Sequence, residues 1–154
     1  MSLGDQFPQG MVESSVARQL LPGVVVKFRA CMDDGKVHEK RFVILHVDEE
    51  AMTCVINSDI NLIIRNDADR LRCQVEIQKS THDFMDHDSH IDCGRVRAYP
   101  KAEVLAQLAK RPGWILGSIT TETRDQMVSA LKHAPTLSAP TIALCCESLE
   151  KSSF

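Results

Sequence analysis

The chain lacks most of the signatures that assign a chemistry at sight. It has no glycine-rich phosphate loop, no Walker lysine and no Gly-x-Ser-x-Gly elbow, which argues against nucleotide hydrolysis and serine-type catalysis. Neither His-Glu-x-x-His nor a Cys-x-x-Cys pair occurs, so no specific metal motif is present. No apolar run approaches the roughly 20 residues that cross a bilayer, and residues 1–6 show no basic region leading into an apolar core; a cytoplasmic location is the expectation. The six cysteines (Cys31, Cys54, Cys73, Cys93, Cys145, Cys146) lack the dense spacing of a secreted disulfide framework and read as reduced packing residues. Cys145 and Cys146 fall in a segment expected to be mobile and open to incidental oxidation. A block of like charge is missing too: the formal charge is −3, whereas a generic phosphate binder is basic overall, so any contact with nucleic acid must be local. No internal repeat is seen.

What is present fits one globular domain. At 154 residues the chain can bury a core without metal or disulfide, and 44% hydrophobic with 25% charged residues is an ordinary soluble composition. Residues 1–20 are polar and show no strong period, and are expected to be a flexible arm, with a short helix around Ser14, Val16 and Leu20 as the only element. Residues 23–30 are rich in β-branched side chains, and Asp33-Asp34-Gly35 supplies turn chemistry, which predicts a hairpin over 24–47. A third strand is expected over 52–58 and a short fourth at Leu62-Ile63-Ile64. Over 71–78, Leu71, Cys73, Val75 and Ile77 alternate with polar residues, the pattern of a half-buried antiparallel strand. Residues 89–99 read as the final strand.

Pro100 then opens a helix over 101–110, where Val104, Leu105 and Leu108 recur at helical spacing, and Arg111-Pro112-Gly113 ends it. An apolar link, Trp114-Ile115-Leu116-Gly117, leads to Thr120, whose hydroxyl can cap a second helix with Glu122 in its first turn, Lys132 and His133 in its last, and Met127, Val128 and Leu131 as its buried stripe. Residues 135–154, with Ser, Pro and Thr and no period, are expected to be a tail. The order, five or six strands and then two C-terminal helices, predicts a mainly β, α+β domain over 21–134: a small SH3-like curled antiparallel barrel with helices on one side. Exposed sheet edges favour a homodimer.

A Pro22-Gly23 start, a strand, a charged loop closing on Lys40-Arg41, and a strand ending in Asn57-Ser58 suggest a polar site at the barrel rim that could meet a phosphodiester. The layout resembles the MazF/PemK-like toxins, small ribonucleases of bacterial toxin–antitoxin pairs. Pro22-Gly23-Val24-Val25-Val26 matches the family's opening strand, Lys40-Arg41-Phe42-Val43-Ile44 its basic segment, and Asn57-Ser58 its Thr-Ser-like strand end. Ser89-His90-Ile91-Asp92-Cys93-Gly94-Arg95-Val96-Arg97, the helix after it and Leu116-Gly117-Ser118-Ile119-Thr120 match its last strand, helix and closing joint. The resemblance spans residues 21–133. Val24, Phe42 and Ser58 stand where the family has an acid, a proline and a threonine.

The resemblance implies metal-independent cleavage of single-stranded RNA by attack of a ribose 2′-hydroxyl on the adjacent phosphorus, with no cofactor and with an antitoxin protein as partner. Arg41 is then the candidate for stabilising charge on the phosphorus oxygens, because its guanidinium is permanently charged and fixed in geometry, and Ser58 adds a hydroxyl. Arginine is a poor base near neutral pH, and His38, in the same loop, is the nearest histidine in sequence to carry the proton. Lys40 and Asn57 are candidate RNA contacts. Read without the resemblance, Arg41 is an exposed strand-end charge, Ser58 a turn residue and His38 a solvated imidazole. His46 reads as a packed or half-exposed strand residue. The stretch from His82 to Cys93 is dense in His and Asp; it reads as an Asx-rich turn, with His87 and His90 as a weaker metal-binding alternative. Cys93 beside His90 ranks last as a nucleophile. A noncatalytic SH3-like module binding nucleic acid or protein is the alternative of a different class.

Overall fold

The computed structural model describes residues 9–152. Among them, seven strands form one antiparallel sheet: β1 (Val24–Cys31), β2 (Val37–Val47), β3 (Glu50–Asn57), β4 (Gln74–Ile77), β5 (Ser89–Asp92), β6 (Arg97–Pro100) and β7 (Ile115–Ser118). The strand order is β4-β5-β3-β2-β1-β7, with β6 also pairing β3. The class is α+β, as expected, and the sheet is open, with β4 and β7 at its ends. The hairpin expected over 24–47 is β1–β2, with Lys27 opposite Arg41 and Arg29 opposite Glu39. A bulge at Leu45 shifts the β2–β3 register between Ile44 and His46, and such an insertion bends a strand.

Among the described residues, six α-helices flank the sheet: α1 (Gln9–Gln19), α2 (Leu62–Arg65), α3 (Ala68–Leu71), α4 (Lys101–Lys110), α5 (Thr121–Lys132) and α6 (Ala139–Lys151). They do not sit on one side only. Val43 and Leu45 of β2 join a core with Ile91, Met127, Leu131 and Leu149 of β5, α5 and α6. Their neighbours Phe42 and Ile44 join a second core with Val16, Val104 and Leu108 of α1 and α4. The middle of β2 is therefore buried on both faces, which explains its unbroken apolar run Phe42-Val43-Ile44-Leu45.

Five local expectations need correction. The arm expected over 1–20 is, from Gln9 onward, helix α1, packed on α4 with Val16 and Leu20 buried; residues 1–8 lie outside the described residues. The tail expected over 135–154 is helix α6 through Lys151, and Cys145, Cys146 and Leu149 are buried. Its Ser and Pro residues are start signals: the Ser138 hydroxyl accepts from the Thr141 N–H, and Pro140 occupies a first-turn position where no N–H is needed. Residues 153–154 lie outside the described residues. Leu62-Ile63-Ile64 is not a strand but helix α2, because the Asn61 side chain accepts from the Ile64 N–H at 2.9 Å and makes Asn61 an N-cap. Asp67 caps α3 in the same way, so β4 begins at Gln74 rather than Leu71. Finally, the last strand is two, β5 and β6, both hydrogen-bonded along one edge of β3.

The apolar link is strand β7, paired to β1. A Cβ on Gly117 would stand 2.5 Å from the Phe84 ring, so this position needs glycine. The Thr120 cap is present, accepting from the Thr123 N–H at 3.2 Å.

Two outcomes follow from the buried C-terminal helix. Replacing Leu149, fully buried against the sheet, with alanine is expected to cost about 2–5 kcal/mol, read as a lowered denaturant midpoint; an unchanged midpoint would mean that α6 is not docked. Of the six cysteines only Cys31 is exposed, and burial pushes the Cys145 thiol up to about 12, which suppresses the reactive thiolate. A thiol reagent such as Ellman's is expected to titrate one cysteine in the native protein and six after denaturation.

Candidate functional site

Along β1 and β2 the side chains alternate between faces, so Lys27, Arg29, Glu39 and Arg41 share one surface as two cross-strand pairs. This is the face that buries Val25 and Val43 further along the strands. Ile56 of β3 lies opposite Arg41, and Ser58 follows where β3 ends.

The connection between β4 and β5 closes over this surface, and its anchor is His82, only 1% exposed. The Thr120 N–H donates to His82 Nε2 at 3.1 Å. That leaves the proton on Nδ1, which lies 3.0 Å from the Gln78 carbonyl oxygen, an acceptor only. Both ring nitrogens of this neutral imidazole are satisfied. Met85 is buried in the core, and Lys79 ties the loop by donating from Nζ to the Met85 carbonyl and from its backbone N–H to Asp88 Oδ1. Asp86 and His87, next after Met85, stand at the rim.

The result is a cleft of about 250 Å³ whose lining includes Lys27, Lys40, Arg41, Ser58, Asp86 and His87. Arg41, 19% exposed, donates from Nη2 to Asp86 Oδ2 at 2.9 Å. Ser58 Oγ and His87 Nε2 are 3.5 Å apart, at the outer limit of a hydrogen bond. His87 Nδ1 lies 3.0 Å from the Asp88 carbonyl and 3.1 Å from Ser89 Oγ. Because a carbonyl only accepts, Nδ1 carries the proton and Nε2 presents its lone pair to the cleft. Lys40 Nζ donates to Asn57 Oδ1 at 3.1 Å, and its ammonium pKa is lowered, first by burial and then by the neighbouring Arg97 charge.

Arg41 and Ser58, 17 positions apart in the sequence, thus meet in one cleft. His38 does not join them. It lies three residues before Arg41 on the same strand, an odd offset that turns its side chain to the other face, where its Nε2 is 2.6 Å from Asp34 Oδ2. There it lines a larger cleft of about 350 Å³ with Asp33, Asn57, Arg70 and Arg97. Charge in that second cleft is largely compensated: Asp33 pairs with Arg95 at 2.6 Å and Arg97 at 3.1 Å, and the Arg97 hydrogen bond holds the Asp33 carboxyl below the usual carboxylate range. Lys40 borders both clefts.

The imidazole beside Arg41 is instead His87, which sequence reasoning considered only as a metal ligand. A usable signal was present: counting back in steps of two from the core residue Ile91 through Ser89 reaches His87, the same face as Arg41. His90 falls on the alternate face, opposite Asn57 and Glu76, so His87 and His90 do not converge. Among the described residues, no three His, Cys, Asp or Glu side chains gather as a metal site. Cys93 is fully buried, and its contact with Cys54, together with burial, pushes the Cys54 thiol well up; these are packing thiols. His46 is also occupied structurally, with Nδ1 2.6 Å from Ser148 Oγ of α6.

No protein-family model matches the chain, and no curated protein matches its sequence. Because Asp86 is 76% exposed, its ion pair with Arg41 contributes little to folding. Asp86→Asn is expected to shift unfolding free energy by less than about 1 kcal/mol in urea titration, and a larger loss would show that the pair holds the loop in place.

Proposed function

We propose that the protein is a metal-independent endoribonuclease of the MazF/PemK-like kind, cleaving single-stranded RNA. The observation that carries this reading is the meeting of Arg41, Ser58 and His87 in one cleft. His87 Nε2 takes the proton from a ribose 2′-hydroxyl, whose oxygen attacks the adjacent phosphorus. The P–O2′ bond forms as the P–O5′ bond breaks, and the departing O5′ takes up a proton from solvent water, leaving a 2′,3′-cyclic phosphate and a 5′-hydroxyl. Negative charge gathers on the non-bridging oxygens, where the Arg41 guanidinium offers fixed, charged donors. Ser58 contributes a neutral hydroxyl, and Lys27 and Lys40 raise the local potential of a chain that is acidic overall.

The departures from the family pattern are compatible with this chemistry. Phe42 is fully buried and stacks on Phe28 with ring centroids 4.2 Å apart, on the face away from Arg41, so it is accommodated by the core without entering the cleft. Ser58 keeps the hydroxyl of the threonine it replaces. The Leu45 bulge, of the kind that bends a strand, supports an SH3-like barrel as the finer description. A homodimer and an antitoxin protein belong to the same reading, and the exposed pair Leu62 and Ile63 of α2, 75% and 70% accessible, is an apolar surface for either to cover. One observation favours the noncatalytic alternative: the Asp86 carboxylate already occupies the Arg41 guanidinium, which a phosphate would have to displace.

Incubating a long RNA with the protein and a chelator separates the two. Cleavage with 5′-hydroxyl and cyclic phosphate ends is expected, lowered about a hundredfold or more in Arg41→Ala and about 10²–10⁴-fold in His87→Ala, while His38→Ala stays near wild type. Intact RNA with the wild-type protein would leave a binding module, and activity lost only on chelation would indicate a metal-dependent reaction.

A further inference from the structure

A second surface lies beside this cleft, next to Lys27. Lys27 lines the cleft opposite Arg41, its Nζ is 2.9 Å from Glu39 Oε1, and it lies 5.3 Å from the centroid of the Trp114 ring. Trp114 ends the 3-10 turn Pro112–Trp114 that follows α4. The Arg111 guanidinium sits 4.7 Å from the same ring centroid. The position of this turn against β1 is set by Gln107, whose side chain accepts from the Arg29 N–H at 2.8 Å and donates to the Arg29 carbonyl at 3.0 Å. Beside the indole is an open cavity of about 460 Å³ lined by Arg29, Val37, Gln107, Lys110, Arg111 and Trp114.

Three properties of this shelf point to one kind of occupant. The lining combines an aromatic ring with an exposed valine, a surface suited to a flat apolar face. Arg29, Lys110 and Arg111 line it and Lys27, paired to Glu39, stands beside its ring, in a chain whose formal charge is −3. The Glu39 carboxyl is accordingly held low, foremost by its hydrogen bond from Lys27 and with help from the Arg29 and Arg111 charges. The shelf also lies beside the Arg41 cleft, because Lys27 lines that cleft while its Nζ stands 5.3 Å from the Trp114 ring centroid. A planar, uncharged face linked to a negative backbone describes a nucleotide within a single strand.

We infer that the Trp114 shelf is a base-stacking subsite for single-stranded RNA, taking the nucleotide that leaves the Arg41 cleft across Lys27. The inference rests on the ribonuclease reading for the identity of the strand, but binding at the shelf needs no cleavage. A base that stacks on the indole displaces one of the two cations now over the ring, and that cation is then free to pair with the neighbouring phosphate. Stacking of this kind tolerates any base, so the shelf adds affinity and strand length without setting the cleavage sequence.

Trp114 is the chain's one tryptophan, so intrinsic fluorescence reads this site directly. The probe is a mixed-sequence 2′-O-methyl hexaribonucleotide, which lacks the nucleophilic hydroxyl and stays intact, titrated into the full chain. Saturable quenching is expected. Lys110→Ala with Arg111→Ala should weaken binding about tenfold or more and flatten its salt dependence by about one to two in log–log slope. Trp114→Ala should weaken the labelled oligonucleotide's anisotropy-detected binding about tenfold, whereas Trp114→Phe, which keeps an aromatic face and the packing, should retain most of it. Fluorescence unchanged while anisotropy shows the oligonucleotide bound would overturn the subsite, as would quenching by poly-aspartate but not by the oligonucleotide, which would make the shelf a site for an acidic peptide. Quenching without RNA cleavage retains the subsite and removes the nuclease; Arg41-dependent cleavage with a silent Trp114 does the reverse.

Discussion

The register of β1, β2 and β3 is the constraint on which everything else rests. Arg41 lies opposite both Lys27 and Ile56, so one strand position determines which residues of its neighbours share its face. A slip of one residue would exchange Arg41 with a core side chain. The slip is opposed from two directions, because Val43 and Leu45 pack under α5 and α6 while Phe42 and Ile44 pack under α1 and α4. Two cores holding one strand give the polar end of the hairpin a rigid base, and side chains on such a base are positioned with little freedom to lose on binding.

The second positional device is the loop between β4 and β5. It is rich in polar side chains, yet it is held by a buried neutral histidine, a buried methionine and a lysine that donates to the Met85 carbonyl. His82 performs a structural task, linking this loop to the start of α5 through the Thr120 N–H, while His87 five residues later is left at the rim with one nitrogen committed to the backbone and the other open. Two histidines of the same loop thus take opposite roles because only one of them is enclosed.

Charge follows the same geometry. The chain is acidic as a whole, and its cations are interspersed with carboxylates along the sequence. Strand alternation sorts them: Lys27, Arg29 and Arg41 fall on one face, Lys110 and Arg111 are brought beside them by α4, and Asp33 and Asp34 turn to the opposite cleft with His38. A local excess of cations, with Glu39 and Asp86 as their carboxylate partners, arises in this way without any basic run in the primary structure.

Much of the fold was legible residue by residue: the β1–β2 hairpin from β-branched runs around Asp33-Asp34-Gly35, the alternation at Val75 and Ile77, the Arg111-Pro112-Gly113 stop and the Thr120 cap are all local signals whose physics acts within a few residues. Helix α6 was missed, and α1 was read only as a short helix within a flexible arm, because both are held mainly by what they pack against, and short capped turns such as Asn61–Arg65 look like strands when only their apolar residues are counted. Of the cleft, the amino-acid order alone determined that Arg41, within one strand, and Ser58, just past the end of the next, come from neighbouring strands, since hairpin connectivity dictates it. Strand alternation already turns His38 away from Arg41 and puts His87 in step with Ile91, but that the His87 loop closes beside Arg41, and that Trp114 lies next to Lys27, was decided only by tertiary structure, because sequence separation carries no information about which distant strands, loops and helices pack together.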